Sequence, residues 1–203
     1  MKQHKNNHGF TIIEVLIALT LAAVLSIVSI EFFSSSFNNY IKLSKDSTNL
    51  SEVAGQTQRI ARVLRGLTDI SDASSTNELS VYAYFSPVDT YVSLIRYYKN
   101  SEGTVVYADV TPMTANPPNG SLITANKKTY TIISNFYSVS NVNLFTYLNA
   151  AGDDLTTPIT DQYTIKGIRI SLAVPTVVGK NTSSSSYTTT TLQVSLRNRK
   201  TNL

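Results

Sequence analysis

Hydrophobic positions fall into three successive patterns along this chain. From Phe10 to Ile30 every residue is apolar or carries a hydroxyl, with the single exception of Glu14. Such a run is long enough to cross a bilayer as a helix, which takes about 20 residues. The apolar positions then thin to a stripe at Phe33, Phe37, Tyr40 and Ile41. After a polar patch from Ser44 to Asn49 the stripe resumes at Leu50, Val53, Ala54, Thr57, Ile60, Ala61, Leu64 and Leu67, with Arg59, Arg62 and Arg65 on other faces. Steps of three and four place the stripe on one side of a helix. No proline precedes Pro87, and no glycine lies between Phe10 and Asn49. The pattern therefore predicts one helix from Phe10 to about Leu67, with its first half in lipid and its second half amphipathic.

After Thr68 the period changes to two. Strands are predicted at Leu79–Phe85, Tyr91–Tyr98, Thr104–Val110, Tyr130–Ile133, Leu144–Leu148, Thr164–Val174 and Thr188–Leu196. Ile168, Ile170, Leu172 and Val174 share one strand face, as do Leu192, Val194 and Leu196. Lys99-Asn100-Ser101-Glu102-Gly103 reads as a hairpin turn; Pro112–Gly120 and Gly179–Ser186 read as loops. An antiparallel sheet, apolar on one face and packed on the amphipathic half of the helix, buries both surfaces. The expected fold class is α+β.

Composition narrows the chemistry. The 203 residues contain no cysteine and no tryptophan, and the two histidines, His4 and His8, precede the apolar run. That excludes disulfides, a thiolate nucleophile and cysteine-based metal sites. No phosphate-cradling glycine loop or zinc spacing is present. Of the 17 basic residues, Lys2 and Lys5 lie in the first nine positions; without them 15 remain against 13 acidic ones, a net +2. The body is thus nearly neutral, and the high pI says little about nucleic acid or anionic lipid. The two early lysines favour keeping the first nine residues in the cytoplasm, which puts the body across the membrane. No convincing signal-cleavage site follows Ile30, so the apolar segment is expected to be retained.

The order Gly9-Phe10-Thr11-Ile12-Ile13-Glu14, after a short basic head and before the apolar run, resembles the processing site of the type IV pilin family, which includes the pseudopilins of type II secretion. The resemblance implies a leader at 1–9, removed by a prepilin peptidase that cuts between Gly9 and Phe10 and methylates the new Phe10 amino group. It implies a membrane-spanning part at 10–32, an amphipathic half-helix at 33–67 and a β-rich extracytoplasmic head at 68–203. A single-pass subunit would wait in the membrane and then join a cell-surface filament. The implied partners are the peptidase, other major and minor pilins or pseudopilins, an inner-membrane assembly platform and membrane lipid; no cofactor or metal is implied. Phe10 and Glu14 would carry filament assembly, through a pair between the Glu14 carboxylate and a neighbouring subunit's Phe10 amino group. Opposite charges attract strongly in a low-dielectric bundle, and either one is costly there alone. Repeated head-to-tail contact of this kind generates an open helix.

A narrower likeness runs through Gln58-Arg59-Ile60-Ala61-Arg62-Val63-Leu64, Asp69-Ile70 and Leu196-Arg197-Asn198-Arg199, which resembles the J-type minor pseudopilins and W-type minor pilins. Major pilins often carry glycine or proline midway along the apolar helix, where this chain has Ala22, Ala23 and Glu31, and many pin a C-terminal loop with a disulfide. Both departures fit a minor subunit that initiates or caps a type IV pilus or a secretion pseudopilus.

Each feature also has a plainer reading. Glu14 can snorkel to the membrane surface. Asp153-Asp154 beside Gly152, with Asp161 further on, offers oxygen ligands for calcium but matches no loop template, and is read as a solvated turn. Arg197, Arg199 and Lys200 read as a solvated end rather than a DNA contact. Tyr82, Tyr84, Tyr91, Tyr97 and Tyr98 are read mainly as sheet packing. The Asn-x-Ser sequences at Asn49, Asn119 and Asn181 are read as incidental in a bacterial protein. The alternative function is a membrane-anchored binding domain that does not polymerise. An anchored hydrolase is a further rival, and would need facing carboxylates in a deep cleft.

Overall fold

A computed structural model describes residues 10–73, 75–138, 142–176 and 187–196. The expected leader, including Gly9, lies outside the described residues, as do the Gly179–Ser186 loop and Arg197–Lys200. The chain forms two compact units, Met1–Lys45 and Asp46–Leu203.

One helix, α1 (Ile12–Arg65), runs through the boundary between them. It begins two residues later than the sequence pattern suggests because Thr11 is its cap: Val15 and Glu14 donate their N–H groups to the Thr11 carbonyl at 3.2 and 3.1 Å. It ends two residues early, at Gly66, where Gly66 and Leu67 donate to the Val63 and Leu64 carbonyls and tighten the last turn. Arg62 and Arg65 sit where the helix dipole is negative.

In the first unit every described side chain is exposed. The helix there contains a stretch long and apolar enough to cross a membrane. Its hydroxyls need no solvent. Thr20 donates to the Ile17 carbonyl at 2.9 Å, Ser26 to Ala22 at 2.7 Å and Ser29 to Leu25 at 2.8 Å, which suits a surface facing lipid.

In the second unit α1 buries Val53, Thr57, Ile60, Ala61, Val63 and Leu64. Thr57 hides its hydroxyl by donating to the Val53 carbonyl at 2.7 Å. Ala54 is half-buried and Leu50 is exposed, so the stripe becomes a core face only from Val53 onward. The helix packs on β-structure, in the α+β, pilin-like arrangement expected from the sequence.

The single sheet expected is instead two. The first orders β1 (Asp69–Asp72), β2 (Glu78–Ala83), β3 (Ser93–Lys99), β4 (Val106–Pro112) and β5 (Lys128–Ile133) in sequence, all antiparallel. The second is β6 (Phe145–Leu148), β7 (Gly167–Pro175) and β8 (Tyr187–Ser195), also antiparallel. β1 was not anticipated, because Asp-Ile-Ser-Asp has one apolar residue and no alternation to detect. Thr164 belongs to a 3₁₀ turn rather than a strand; Asp161 caps that turn by accepting the Tyr163 N–H at 2.9 Å. Pro112 closes β4 instead of opening the loop.

Register explains the core of the first sheet. Leu79 pairs with Tyr97 and Val81 with Ile95; Ile95 and Tyr97 in turn pair with Val110 and Ala108. These residues are buried and form one cluster with Val53, Ile60, Ala61 and Leu64 of α1. Ile168, Ile170, Leu172 and Val174 of β7 and Val194 of β8 complete the same cluster. Each fully buried aliphatic side chain contributes about 1.5–3 kcal/mol. The β3–β4 turn is built as expected: the Asn100 side-chain oxygen accepts the Thr104 and Val105 N–H groups, and Gly103 takes φ +69°.

Candidate functional site

The start of α1 is set by local chemistry. Thr11 uses its hydroxyl as well as its carbonyl, accepting the Glu14 N–H at 3.3 Å. Thr-x-x-Glu is the spacing of a capping box, in which the glutamate reaches back to the cap's own N–H. Here only the threonine half is made. The Glu14 carboxylate has no partner among the described residues. It lies in the first turn, where the helix dipole favours negative charge.

Phe10 precedes the cap and is 80% exposed. Together Phe10, Glu14, Val15, Ala18, Leu19 and Ala22 line a shallow groove of about 380 Å³. Glu14, Ala18 and Ala22 follow one another at helical spacing, and the two alanines leave the furrow beside Val15 and Leu19. The groove is apolar except for one carboxylate at its end. Chemically it suits a partner that is apolar along its length and cationic at its tip. Of the residues singled out from the sequence, Phe10 and Glu14 are brought to this groove, and Gly9 is outside the described residues. Thr11, Ala18 and Ala22 were missed. The Thr-x-x-Glu spacing was the available signal for the first, whereas the alanines carry none until the helix is built.

The outer face of the first sheet carries a polar cluster that no sequence motif announces. Arg96 pairs with Glu78, its Nη2 donating to Oε2 at 2.8 Å, and its guanidinium lies 4.5 Å from the Tyr98 ring centroid. The Glu78 hydrogen bond holds the Arg96 pKa above its ordinary value. Asp109, almost fully buried, accepts Lys127 at 2.7 Å and the Thr129 hydroxyl at 2.6 Å. Burial pushes its pKa upward, but those donors outweigh burial and hold the carboxyl below its usual value. Every charge in the cluster is matched, which makes it a brace across β2–β5 rather than a reactive centre.

The other sequence candidates are dispersed. Asp153 faces Asn149, whose side chain donates to it at 3.1 Å; Asp154 accepts Arg169 at 3.1 Å; Asp161 caps the 3₁₀ turn. Among the described residues no three His, Cys, Asp or Glu converge as metal ligands. Tyr97 is buried on β3, and Tyr82 and Tyr98 lie half-buried on β2 and β3. Tyr84 and Tyr91 fall just outside the strands and are exposed. A cleft of about 670 Å³ between the residues after β2 and the start of β5 includes Phe85, Tyr91, Met113 and Tyr130 in its wall. It holds one carboxylate, Asp89, which is occupied in accepting the Ser86 and Phe85 N–H groups at 2.8 and 3.1 Å.

Residues 4–30 match a family model described as the prokaryotic N-terminal methylation motif, a type IV pilin-like feature. No curated protein and no solved structure matches the chain.

Proposed function

We propose that this chain is a minor prepilin: a structural subunit, not an enzyme, cut after Gly9 and assembled into a type IV pilus or a type II secretion pseudopilus, where it initiates or caps the filament. The observation that carries the reading is the methylation motif at residues 4–30, placed directly on an apolar helix whose first charged residue, Glu14, is unpartnered among the described residues. A prepilin peptidase frees and methylates the Phe10 amino group. That cation, on an apolar helix, matches the groove beside Glu14 in both charge and character. Pairing it with Glu14 of the next subunit costs less than leaving either charge alone in the bundle, so the correct axial register is favoured over the others. Before assembly the chain sits in the membrane, with head and leader on opposite sides. Its other partners are major and minor pilins and the inner-membrane assembly platform. The minor role, akin to the J-type pseudopilins and W-type pilins, is supported by Ala22, Ala23 and Glu31 in the helix and by the lack of cysteine.

Intact mass and N-terminal sequencing of the membrane-extracted protein test this reading. The expected start is N-methylated Phe10, and substitution of Gly9 should leave the chain nine residues longer and unassembled. A chain that still begins at Met1, or a Gly9 variant that behaves as the parent does, would point instead to an anchored binding domain that never polymerises.

A further inference from the structure

We infer that the cleft between the β2–β3 connection and the start of β5 binds a short, uncharged saccharide. Every residue of its wall is described, and all belong to the Asp46–Leu203 unit. Its volume of about 670 Å³ falls within the roughly 300–1,000 Å³ of small-molecule sites. The cleft is shaped in advance. Asp89 accepts the Phe85 and Ser86 N–H groups, and Asn116 accepts the Val92 N–H at 2.9 Å and donates to the Tyr84 hydroxyl at 3.3 Å. The β2–β3 connection is thus tied at both ends. On the β5 side, Lys128 and Tyr130 stand two positions apart, on the sheet face of their partners Val110 and Ala108. Tyr130 packs on Phe85 with ring centroids 4.9 Å apart, and the Arg59 guanidinium lies 4.9 Å from the Phe85 centroid. Tyr130 is still 37% exposed and Tyr91 44% exposed. Two flat rings are therefore offered to an occupant with little left to order on binding.

Beside those rings stand polar groups with unused bonding capacity. Ser93 lines the cleft and is 4% exposed, yet its hydroxyl makes no hydrogen bond among the described residues. Buried hydroxyls are nearly always bonded, so Ser93 needs a polar atom from whatever fills the cleft. Both N–H groups that Asp89 accepts fall on Oδ2, which leaves Oδ1 as an acceptor. Lys127 is held by Asp109, whereas Lys128 makes no ion pair among the described residues.

These groups select the ligand. The wall carries one carboxylate, Asp89, and one cation without an ion pair, Lys128; Arg59 lies behind Phe85 and is not part of it. An anionic ligand meets Asp89 and a cationic one meets Lys128, and either contact desolvates like charges together. A wholly apolar ligand strips water from Ser93, Asp89 and Lys128 and returns no bond. A neutral sugar ring satisfies all of them. Its C–H faces lie on Tyr91 and Tyr130, and its rim of hydroxyls, each able to donate and accept, serves Ser93, Asp89 and Lys128. The inference does not rest on filament assembly, because an anchored domain that never polymerises would carry the same cleft.

The test uses the full chain in a detergent without a sugar headgroup. The probes are an array of neutral oligosaccharides of glucose, galactose, mannose and N-acetylglucosamine, with their carboxylated and sulfated counterparts. At least one neutral member should bind saturably. Its affinity should fall tenfold or more in Tyr130→Ala and several-fold in Ser93→Ala, and should not change in Tyr163→Ala, an exposed tyrosine outside the cleft. Thermal melts identify a variant that has lost its fold; Ser93→Ala, which removes a single oxygen, keeps the test decisive should Tyr130→Ala fail to fold. Asp89→Asn retains an acceptor for the two N–H groups and removes the charge. It should raise the affinity for the carboxylated counterpart several-fold relative to the neutral sugar, which a purely structural role for Asp89 would not do. Absence of saturable binding to every neutral member, binding confined to acidic members, or equal binding by the parent, Tyr130→Ala and Ser93→Ala would overturn the inference.

Discussion

The Tyr147 hydroxyl lies 2.9 Å from the Ser75 carbonyl and 3.0 Å from that of Glu78, fastening β6 to the connection between β1 and β2. It joins the second sheet to the first, beside the backbone bond from Phe145 to Thr76 and the contact of the Phe145 and Tyr97 rings, whose centroids are 6.3 Å apart. Removing the hydroxyl leaves two part-buried carbonyls short of a donor, which costs about 1 kcal/mol. Tyr147→Phe should therefore lower the unfolding free energy by that amount, as a lower denaturation midpoint at unchanged cooperativity, measured by chemical denaturation of the purified chain.

Tyr97 and Tyr147 also predict an alkaline limit. Burial raises the pKa of both well above the ordinary tyrosine value of about 10. The unfolded chain loses these protons first, so the folded state binds more protons at high pH and its stability falls as pH rises. The contribution is intact below pH ~10 and declines above it. Thermal melts followed from pH 8 to 11 should show a falling midpoint that tracks tyrosinate absorbance, with Tyr97→Phe reducing the slope.

Asp109 sets the opposite limit. Its folded pKa is depressed, so its contribution is full above the unfolded carboxylate value of about 3.9 and is lost as pH falls through the folded value. Asp109→Asn keeps an acceptor for Thr129 but gives up the charge that pairs with Lys127. It should destabilise the head at pH 7 and make its stability less dependent on pH below about 4, as read from denaturation midpoints at both pH values.

Two glycines should respond in opposite senses to alanine. A Cβ at Gly120 would stand 1.8 Å from the Ala115 carbonyl oxygen, too close for the turn beyond β4 to survive unmoved. A Cβ at Gly55 would meet nothing within 4 Å on the exposed side of α1. Gly120→Ala should cost more than about 1 kcal/mol, whereas Gly55→Ala should gain about 0.5–1 kcal/mol by removing backbone freedom from the unfolded chain. Paired melts of the two variants check both signs.

Glu14→Ala should leave the melting behaviour of the head unchanged, since Glu14 is exposed and lies in the other unit. If the chain assembles as proposed, Glu14→Ala should abolish its incorporation into filaments, read as loss of the chain from sheared surface fibres while its membrane level is maintained. Glu14→Asp should retain partial incorporation, because the charge remains and only its reach is shortened.

Much of this molecule was written in local pattern. The apolar run, the absence of helix breakers and the three-and-four spacing through Leu64 determined a long helix. Strict alternation at Ile168–Val174 determined a strand, and the order of Gly9, Phe10 and Glu14 marked the candidate assembly site. These features are legible because helix period, strand period and turn preference depend on residues a few positions apart. The division into two sheets, the presence of β1 and the buried carboxylate of Asp109 between Lys127 and Thr129 were decided only in the folded chain. Each depends on which distant segments become neighbours, and on how much water that contact removes from a given side chain. Neither quantity is a property of any short stretch of sequence.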